Sequence, residues 1–104
     1  MFIRIGQSRY LNPNIMIYAM KKVLSECMDI YKKYGLKSIT VVKTSEDRLT
    51  NIAVWEKNPG EKVFKDLGKI YTESFKKYEA QQITNETEVV LLWDKEKGFI
   101  ISKE

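Results

Sequence analysis

The fold of this 104-residue chain is constrained most by two amphipathic segments with helical periodicity. Each is flanked by shorter segments with strand periodicity. The first follows Asn12-Pro13, a typical N-cap and first helical residue, and runs to Gly35, a typical helix terminator. The second follows a Pro-Gly break and is predicted over residues 61–80. The apolar stripe of the first recurs at alternating steps of four and three residues: Met16, Met20, Val23, Cys27, Ile30 and Tyr34.

The segments around these helices are predicted to be strands. Strand patterns cover residues 2–9, 37–44, 48–56 and 88–93. The order β-α-β-β-α-β predicts an α+β, ferredoxin-like fold, in which a four-stranded antiparallel sheet carries both helices on one face. We expect one domain over residues 1–104, with its core at 2–94 and a C-terminal tail at 95–104. Residues 99–101 of that tail are expected to pair as an edge strand, in this chain or in a neighbouring copy.

The predicted strands are apolar on both of their faces. In the third strand, Ala53 and Trp55 point to one side, and Ile52 and Val54 point to the other. A sheet that meets water on one face alternates apolar with polar residues. We therefore expect the face opposite the helices to pack on the sheet of a second copy, which predicts a homodimer with Trp93 at its seam.

The composition excludes several kinds of chemistry. The chain has no histidine and one cysteine, Cys27, which rules out Ser-His-Asp triads, imidazole metal ligands and intrachain disulfides. No phosphate-binding or dinucleotide-binding glycine motif is present, and we expect no metal or cofactor. No apolar run is long enough to span a membrane, so we expect a cytoplasmic protein that does not enter the membrane and keeps Cys27 reduced. The net charge of +4 comes from lysines interleaved with acidic residues, a pattern more typical of a solvated surface than of nucleic-acid binding.

Two local features carry a resemblance to a known family. The long first helix closes at Tyr34-Gly35-Leu36, and the apolar run Ile52-Ala53-Val54-Trp55-Glu56 ends in Trp-Glu before the second helix. With the order of elements over residues 2–94, these features resemble the dimeric α+β barrel superfamily, and within it the antibiotic-biosynthesis-monooxygenase-like branch. The resemblance implies a homodimer with facing sheets and an apolar pocket between sheet and helices. Only Trp55 maps onto a position of that family, and the histidines used by its haem-degrading and His-Asp members are missing.

Five residues are candidates to line a ligand pocket, each with a structural alternative. Trp55 is suited to stack on a flat aromatic ligand or to plug the core. Tyr71 and Tyr18, on or beside the apolar helix stripes, are suited to orient a ligand through their hydroxyls or to bond the backbone. Arg4 is suited to pair with an acidic ligand group or, as a structural ion pair, with Glu56, Glu88 or Asp94; Asn51 is suited to bond a ligand or to occupy an edge or bulge position.

These observations leave three functions open. The first is a homodimer that binds a small apolar or aromatic molecule without turning it over. The second is a cofactor-free monooxygenase or isomerase of an aromatic or enolisable substrate, in which the protein desolvates and orients the substrate. The third is RNA binding, because RNA-recognition domains share the order β-α-β-β-α-β, although the third strand lacks their aromatic signature.

Overall fold

The computed structural model, which describes residues 1–89 and 91–101, has the predicted α+β, ferredoxin-like architecture. Its first six regular elements follow the order β-α-β-β-α-β, and a short hairpin follows them. The elements are β1 (Phe2–Tyr10), a 3-10 turn (Pro13–Ile15), α1 (Met16–Lys33), β2 (Leu36–Ser45), β3 (Arg48–Trp55), α2 (Glu61–Lys77), β4 (Ala80–Val89), β5 (Leu91–Asp94) and β6 (Gly98–Ile101). Among the described residues, no helix combines the length and the apolar character needed to cross a bilayer.

The main sheet has the strand order β2-β3-β1-β4, with every neighbouring pair antiparallel. In the register of β1 with β3, Phe2 lies opposite Trp55 and Ile5 lies opposite Ile52. Alternation along the strands therefore separates a helix-covered face, which includes Phe2 and Trp55, from an open face, which includes Ile5 and Ile52. The core lies between the covered face and the helices and is formed by buried residues that include Phe2, Tyr10, Met16, Ala19, Met20, Val23, Cys27, Tyr31, Leu49, Trp55, Val63 and Leu67.

Helix α1 begins and ends close to the predicted positions. The Asn12 side chain accepts a hydrogen bond from the Asn14 backbone N–H at 3.0 Å, and this cap starts the 3-10 turn that leads into the helix. At the other end, Gly35 has a φ of +85°, a conformation that glycine adopts without strain. The Gly35 carbonyl accepts a hydrogen bond from the Glu56 N–H at 3.0 Å, which fixes the helix end against the end of β3.

The predicted position of the fourth strand is wrong. The sheet strand β4 is Ala80–Val89, whereas the predicted strand at 88–93 is divided between the end of β4 and the separate strand β5; Val90 lies outside the described residues. Helix α2 accordingly ends at Lys77 rather than near residue 80, and Glu79, with a φ of +52°, makes the turn into β4. The error has a physical reason. In the described sheet, β4 is an edge strand bonded only to β1, and an edge strand tolerates a polar sequence that lacks the apolar pattern from which strands are predicted.

The tail strand pairs within this chain. Strands β5 and β6 form a two-stranded antiparallel hairpin in which Trp93 lies opposite Phe99. Both rings are exposed, Trp93 to 60% and Phe99 to 73%. The end of the predicted tail, residues 102–104, lies outside the described residues.

The open face of the sheet is apolar at one end and polar at the other. Ile3 is buried, and Ile5, Ile52 and Val54 are half-buried, although the helices cover the opposite face. Toward the β2–β3 turn, the Gln7 side chain donates to the hydroxyls of Thr44 and Thr50, both at 3.3 Å. The expectation of a sheet that is apolar on both faces therefore holds for the aliphatic end only.

Candidate functional site

A cavity of about 260 Å³ lies between the covered face of the sheet and the helices, and most of its sheet wall comes from alternate residues of β1 and β3. Because successive side chains of a strand point to opposite faces, residues two apart converge on this space. The register places Arg4 opposite Ala53 and Gly6 opposite Asn51, which brings the two strands together as one wall. The wall includes Arg4, Gly6, Ser8, Asn51, Ala53 and Trp55.

The helix wall of the cavity is a single face of α2. Its residues recur at steps of three and four, as one face of a helix requires, and Tyr31 of α1 adds to this wall. The α2 residues are Phe64, Leu67, Gly68, Tyr71, Thr72 and Phe75.

Aromatic rings surround the inner part of the cavity. The indole of Trp55 is 1% exposed and meets the rings of Tyr31 and Phe64 edge to face, each at a centroid distance of 5.7 Å. The guanidinium carbon of Arg4 lies 3.9 Å from the centroid of the Phe64 ring, a cation–π contact. These groups form flat apolar surfaces with a cation at one margin, which suits a planar ligand better than a flexible one.

Two tyrosine hydroxyls meet across the helices beside this aromatic wall. The hydroxyl oxygens of Tyr31 and Tyr71 are 2.6 Å apart, so one of them donates to the other. This bond joins α1 to α2 at the cavity and fixes the position of both rings.

Two buried polar atoms on the cavity wall, Trp55 Nε1 and Asn51 Oδ1, have no hydrogen-bond partner in the described part of the chain. The Asn51 amide nitrogen donates to Met20 Sδ at 3.4 Å, which leaves the amide oxygen as an acceptor. A buried polar group without a partner costs about 1–3 kcal/mol, and native proteins contain few of them. The wall of this cavity therefore carries one donor, the Trp55 indole N–H, and one acceptor, the Asn51 amide oxygen, whereas the Ser8 hydroxyl interacts with the buried Tyr10 hydroxyl.

Four of the five predicted site residues line this cavity. Arg4, Asn51 and Trp55 lie on the sheet wall and Tyr71 lies on α2. Tyr18 lies elsewhere: its side chain is 62% exposed and its ring packs edge to face on Tyr78, at a centroid distance of 6.2 Å. Tyr18 is thus not part of this site, because its place beside the apolar stripe of α1 turns it outward.

Sequence reasoning missed several lining residues. Ser8 lies two positions from Gly6 and four from Arg4 on the same strand. Strand alternation therefore places Ser8 on the same face of the sheet as Arg4. Phe64 and Phe75 lie on the apolar face of α2, and helical periodicity alone does not show which residues of that face meet a cavity. Gln82 lies in β4, where no strand was predicted, so no sequence signal placed it near the site.

Arg4 lies beside the cavity, an aromatic ring and the neighbouring strand β4. Its guanidinium lines the cavity and stacks on Phe64. In the register of β1 with β4, Arg4 lies opposite Glu88, one of its predicted partners, whose side chain lies outside the described part of the structure. In the described part of the chain, no three of the Cys, Asp and Glu side chains come together in a way that would hold a metal ion.

Cys27 lies in the core, as predicted, and gives a test of the fold that depends on pH. Burial raises the pKa of its thiol from 9.0 to about 11. The folded chain therefore keeps the thiol protonated above the pH at which the unfolded chain loses the proton. The resulting stability is fully present below pH 9 and is lost as the pH rises through 11, by about 1–3 kcal/mol.

We expect urea unfolding at pH 8 and pH 10.5 to show a larger loss of stability for the wild-type chain than for Cys27→Ala. The comparison between the two proteins cancels the titration of other groups in this range. An equal loss in both proteins would contradict the assigned burial of Cys27.

Comparison with known proteins supports the fold. No protein-family model matches the chain, and no curated protein sequence matches it. A solved structural-genomics protein, YjcS, superposes with a TM-score of 0.56 over 85% of this chain and 95% of its own, at 13% identity. Protein Atu4242 from Agrobacterium tumefaciens gives a TM-score of 0.49 over 86% of this chain and 91% of its own, also at 13% identity. The likeness to YjcS shows that solved proteins share this α+β arrangement; at this identity it shows the fold alone.

Proposed function

We propose that this protein binds a small planar, aromatic molecule in the cavity between its sheet and its helices, without a metal or organic cofactor. The observation that carries the proposal is the pair of polar atoms without a partner among the described residues, Trp55 Nε1 and Asn51 Oδ1, on a cavity with aromatic walls. A ligand that accepts from the indole N–H and donates to the asparagine oxygen recovers the free energy these groups lose by burial.

We propose further that the protein is a homodimer of the dimeric α+β barrel type, related to the antibiotic-biosynthesis-monooxygenase-like branch. The aliphatic end of the open sheet face supports this, because Ile5, Ile52 and Val54 lie together on a face without helices. An apolar sheet face is stabilised by a second sheet, and in a chain of one domain a second copy provides it. The exposed rings of Trp93 and Phe99 on the hairpin add apolar surface for the same partner.

Cofactor-free turnover is a second candidate, favoured by the Trp55 indole N–H. A buried donor without a protein partner in the described chain is suited to hold an oxygen on which negative charge develops during reaction with O₂ or during isomerisation. Oxygen uptake in the presence of an anthrone or a quinol, lost in Trp55→Phe, would support turnover over binding alone. RNA binding gains no such support, because the described open-face residues of β1 and β3 are aliphatic or polar and offer no stacking surface.

Native mass spectrometry of the purified chain tests the assembly and the binding together. We expect a dimer of about 24 kDa, twice the 12.2 kDa of one chain. With 2-naphthol added, we expect one ligand per protomer and, by calorimetry, a Kd of about 1 mM or lower, the value typical of a good fit for a ligand of this size. A monomer would contradict the dimer, and a dimer that binds no 2-naphthol would contradict the proposed ligand class.

A further inference from the structure

Gly68 is an interior helix residue that neither the backbone nor the packing of α2 requires to be glycine. It lies in the middle of α2, where glycine is a poorer helix former than any residue except proline. Its φ is not in the left-handed region, and a Cβ built at this position meets nothing within 4 Å. A glycine kept for close helix packing would have a neighbour at that distance. The open space beside Gly68 therefore has another explanation.

The open space belongs to the rim of the cavity. Of the lining residues that the structure describes, three are exposed to solvent: Gly68 and Thr72 on α2, and Gln82 on β4. Gly68 and Thr72 are neighbours one helical turn apart, and the Thr72 hydroxyl donates to the Gly68 carbonyl at 2.8 Å. Helix α2 packs against β4, so the three residues mark the place where the cavity opens between these two elements.

We infer that Gly68 forms the mouth of the cavity, and that the missing side chain sets the width of the planar molecule that passes between α2 and β4. The inference rests on the proposed function for the identity of the ligand, but not for the existence of the opening. A side chain at position 68 projects into space that is otherwise open, at the point where an entering ring passes Phe64 and Tyr71 on the same helix face. Gly68 thus controls the entry of the ligand and the size of the molecule that can enter, whereas Trp55, Asn51 and Ser8 line the cavity that holds the bound ligand.

The test compares Gly68→Leu with Lys69→Leu in a Trp93→Phe background, in which Trp55 is the sole tryptophan. Lys69 is the next residue of the same helix, is exposed and does not line the cavity, so the two variants add the same side chain on different sides. Two probes report on the mouth: acrylamide, a small neutral quencher of Trp55 fluorescence, and 2-naphthol, whose association is followed by stopped-flow fluorescence.

We expect Gly68→Leu to slow 2-naphthol association at least ten-fold and to lower the acrylamide quenching constant of Trp55 at least two-fold. Lys69→Leu should change neither by more than about a third. Gly68→Ala should raise the melting temperature, because alanine favours the helix and meets no neighbour, while it slows association by a smaller factor. The rise in melting temperature shows that the effect on entry does not come from damage to the fold.

The outcomes separate this inference from the proposed function. If Gly68→Leu keeps the wild-type rate of 2-naphthol association and the wild-type acrylamide quenching constant of Trp55, the inference that Gly68 forms the mouth is overturned, even if 2-naphthol binds tightly. Absence of 2-naphthol binding with quenching that still depends on position 68 would overturn the ligand class and leave the mouth in place. A fall in melting temperature for Gly68→Ala would show that packing requires this glycine and would also overturn the inference.

Discussion

The Trp55→Ala variant is expected to lose about 3–5 kcal/mol of unfolding free energy and all measurable affinity for 2-naphthol. The indole is 1% exposed and packs edge to face on Tyr31 and Phe64, so its removal leaves a large void at the centre of the core. A domain of this size has a total stability of about 5–15 kcal/mol, so this loss is a large fraction of the free energy that keeps the chain folded. Urea unfolding followed by circular dichroism measures the loss.

Trp55→Phe separates the role of the indole N–H from the role of the ring. Phenylalanine keeps an aromatic ring in the core, and we expect a stability loss of only about 1–2 kcal/mol. The indole N–H has no partner among the described residues, so its removal breaks no hydrogen bond to any of them. Affinity for 2-naphthol should fall by about three- to ten-fold, the range for one lost hydrogen bond.

The matched control is Trp93→Phe, which makes the same change on the exposed β5–β6 hairpin. It keeps an aromatic ring at the proposed dimer seam and should leave the affinity for 2-naphthol close to the wild-type value. Equal losses of affinity in Trp55→Phe and Trp93→Phe would show that the ligand does not bind in the cavity assigned to it.

The second large effect is expected at the open face of the sheet. Ile52 lies opposite Ile5 and beside Val54, at the centre of the aliphatic end of this face. Ile52→Lys places a charge where the partner sheet is proposed to pack, and an unpaired buried charge is strongly unfavourable. We expect the Kd of the dimer to rise at least about 30-fold, as for loss of an interface hot spot. Sedimentation velocity at several protein concentrations measures the change.

Ser25→Lys is the control, because Ser25 lies on the exposed side of α1, away from the sheet. It adds the same charge to the same protein and should leave the dimer intact. A dimer that survives Ile52→Lys unchanged would place the interface elsewhere, and a wild-type monomer at tens of micromolar would remove it.

The helices were predictable because their signals are local. The predicted stripe from Met16 to Tyr34 has helical periodicity, and capping by Asn12 and termination at Gly35 depend only on neighbouring residues. Its last member, Tyr34, is 41% exposed because it lies at the helix end, beyond the core. The sequence also placed Cys27 in the core, since a buried position on a helix face repeats with its neighbours.

The fourth strand was not predictable in the same way. Residues 80–89 are mostly polar and carry no clear alternation, because the strand lies at the sheet edge and bonds only to β1. The stronger apolar pattern that begins at residue 88 belongs largely to the hairpin. Pairing with β1 decides the assignment, and a single-sequence pattern does not contain that long-range contact.

The candidate site was partly predictable for the same reason. Strand alternation places Arg4, Asn51 and Trp55 on one face, and the sheet register then brings them to one wall. Helical periodicity gives the direction of Tyr18 on α1 but not the residue that lies opposite it. The Tyr18 ring in fact packs on half-buried Tyr78 at the end of α2. The place of Gly68 beside open space was not predictable. A glycine kept for close packing and a glycine beside open space look the same in an amino-acid sequence.

The most direct test of the proposed binding site is a titration of ¹⁵N-labelled wild-type protein with 2-naphthol, followed by the two tryptophan indole N–H resonances. Trp55 lines the cavity with an N–H that has no partner in the described structure, whereas Trp93 is 60% exposed on the hairpin and serves as an internal reference. We predict that the Trp55 resonance moves downfield and saturates with one ligand per protomer, while the Trp93 resonance stays in place. A saturating shift of Trp93 alone, or no shift of Trp55 at millimolar 2-naphthol, would contradict the assignment of this cavity as a ligand site.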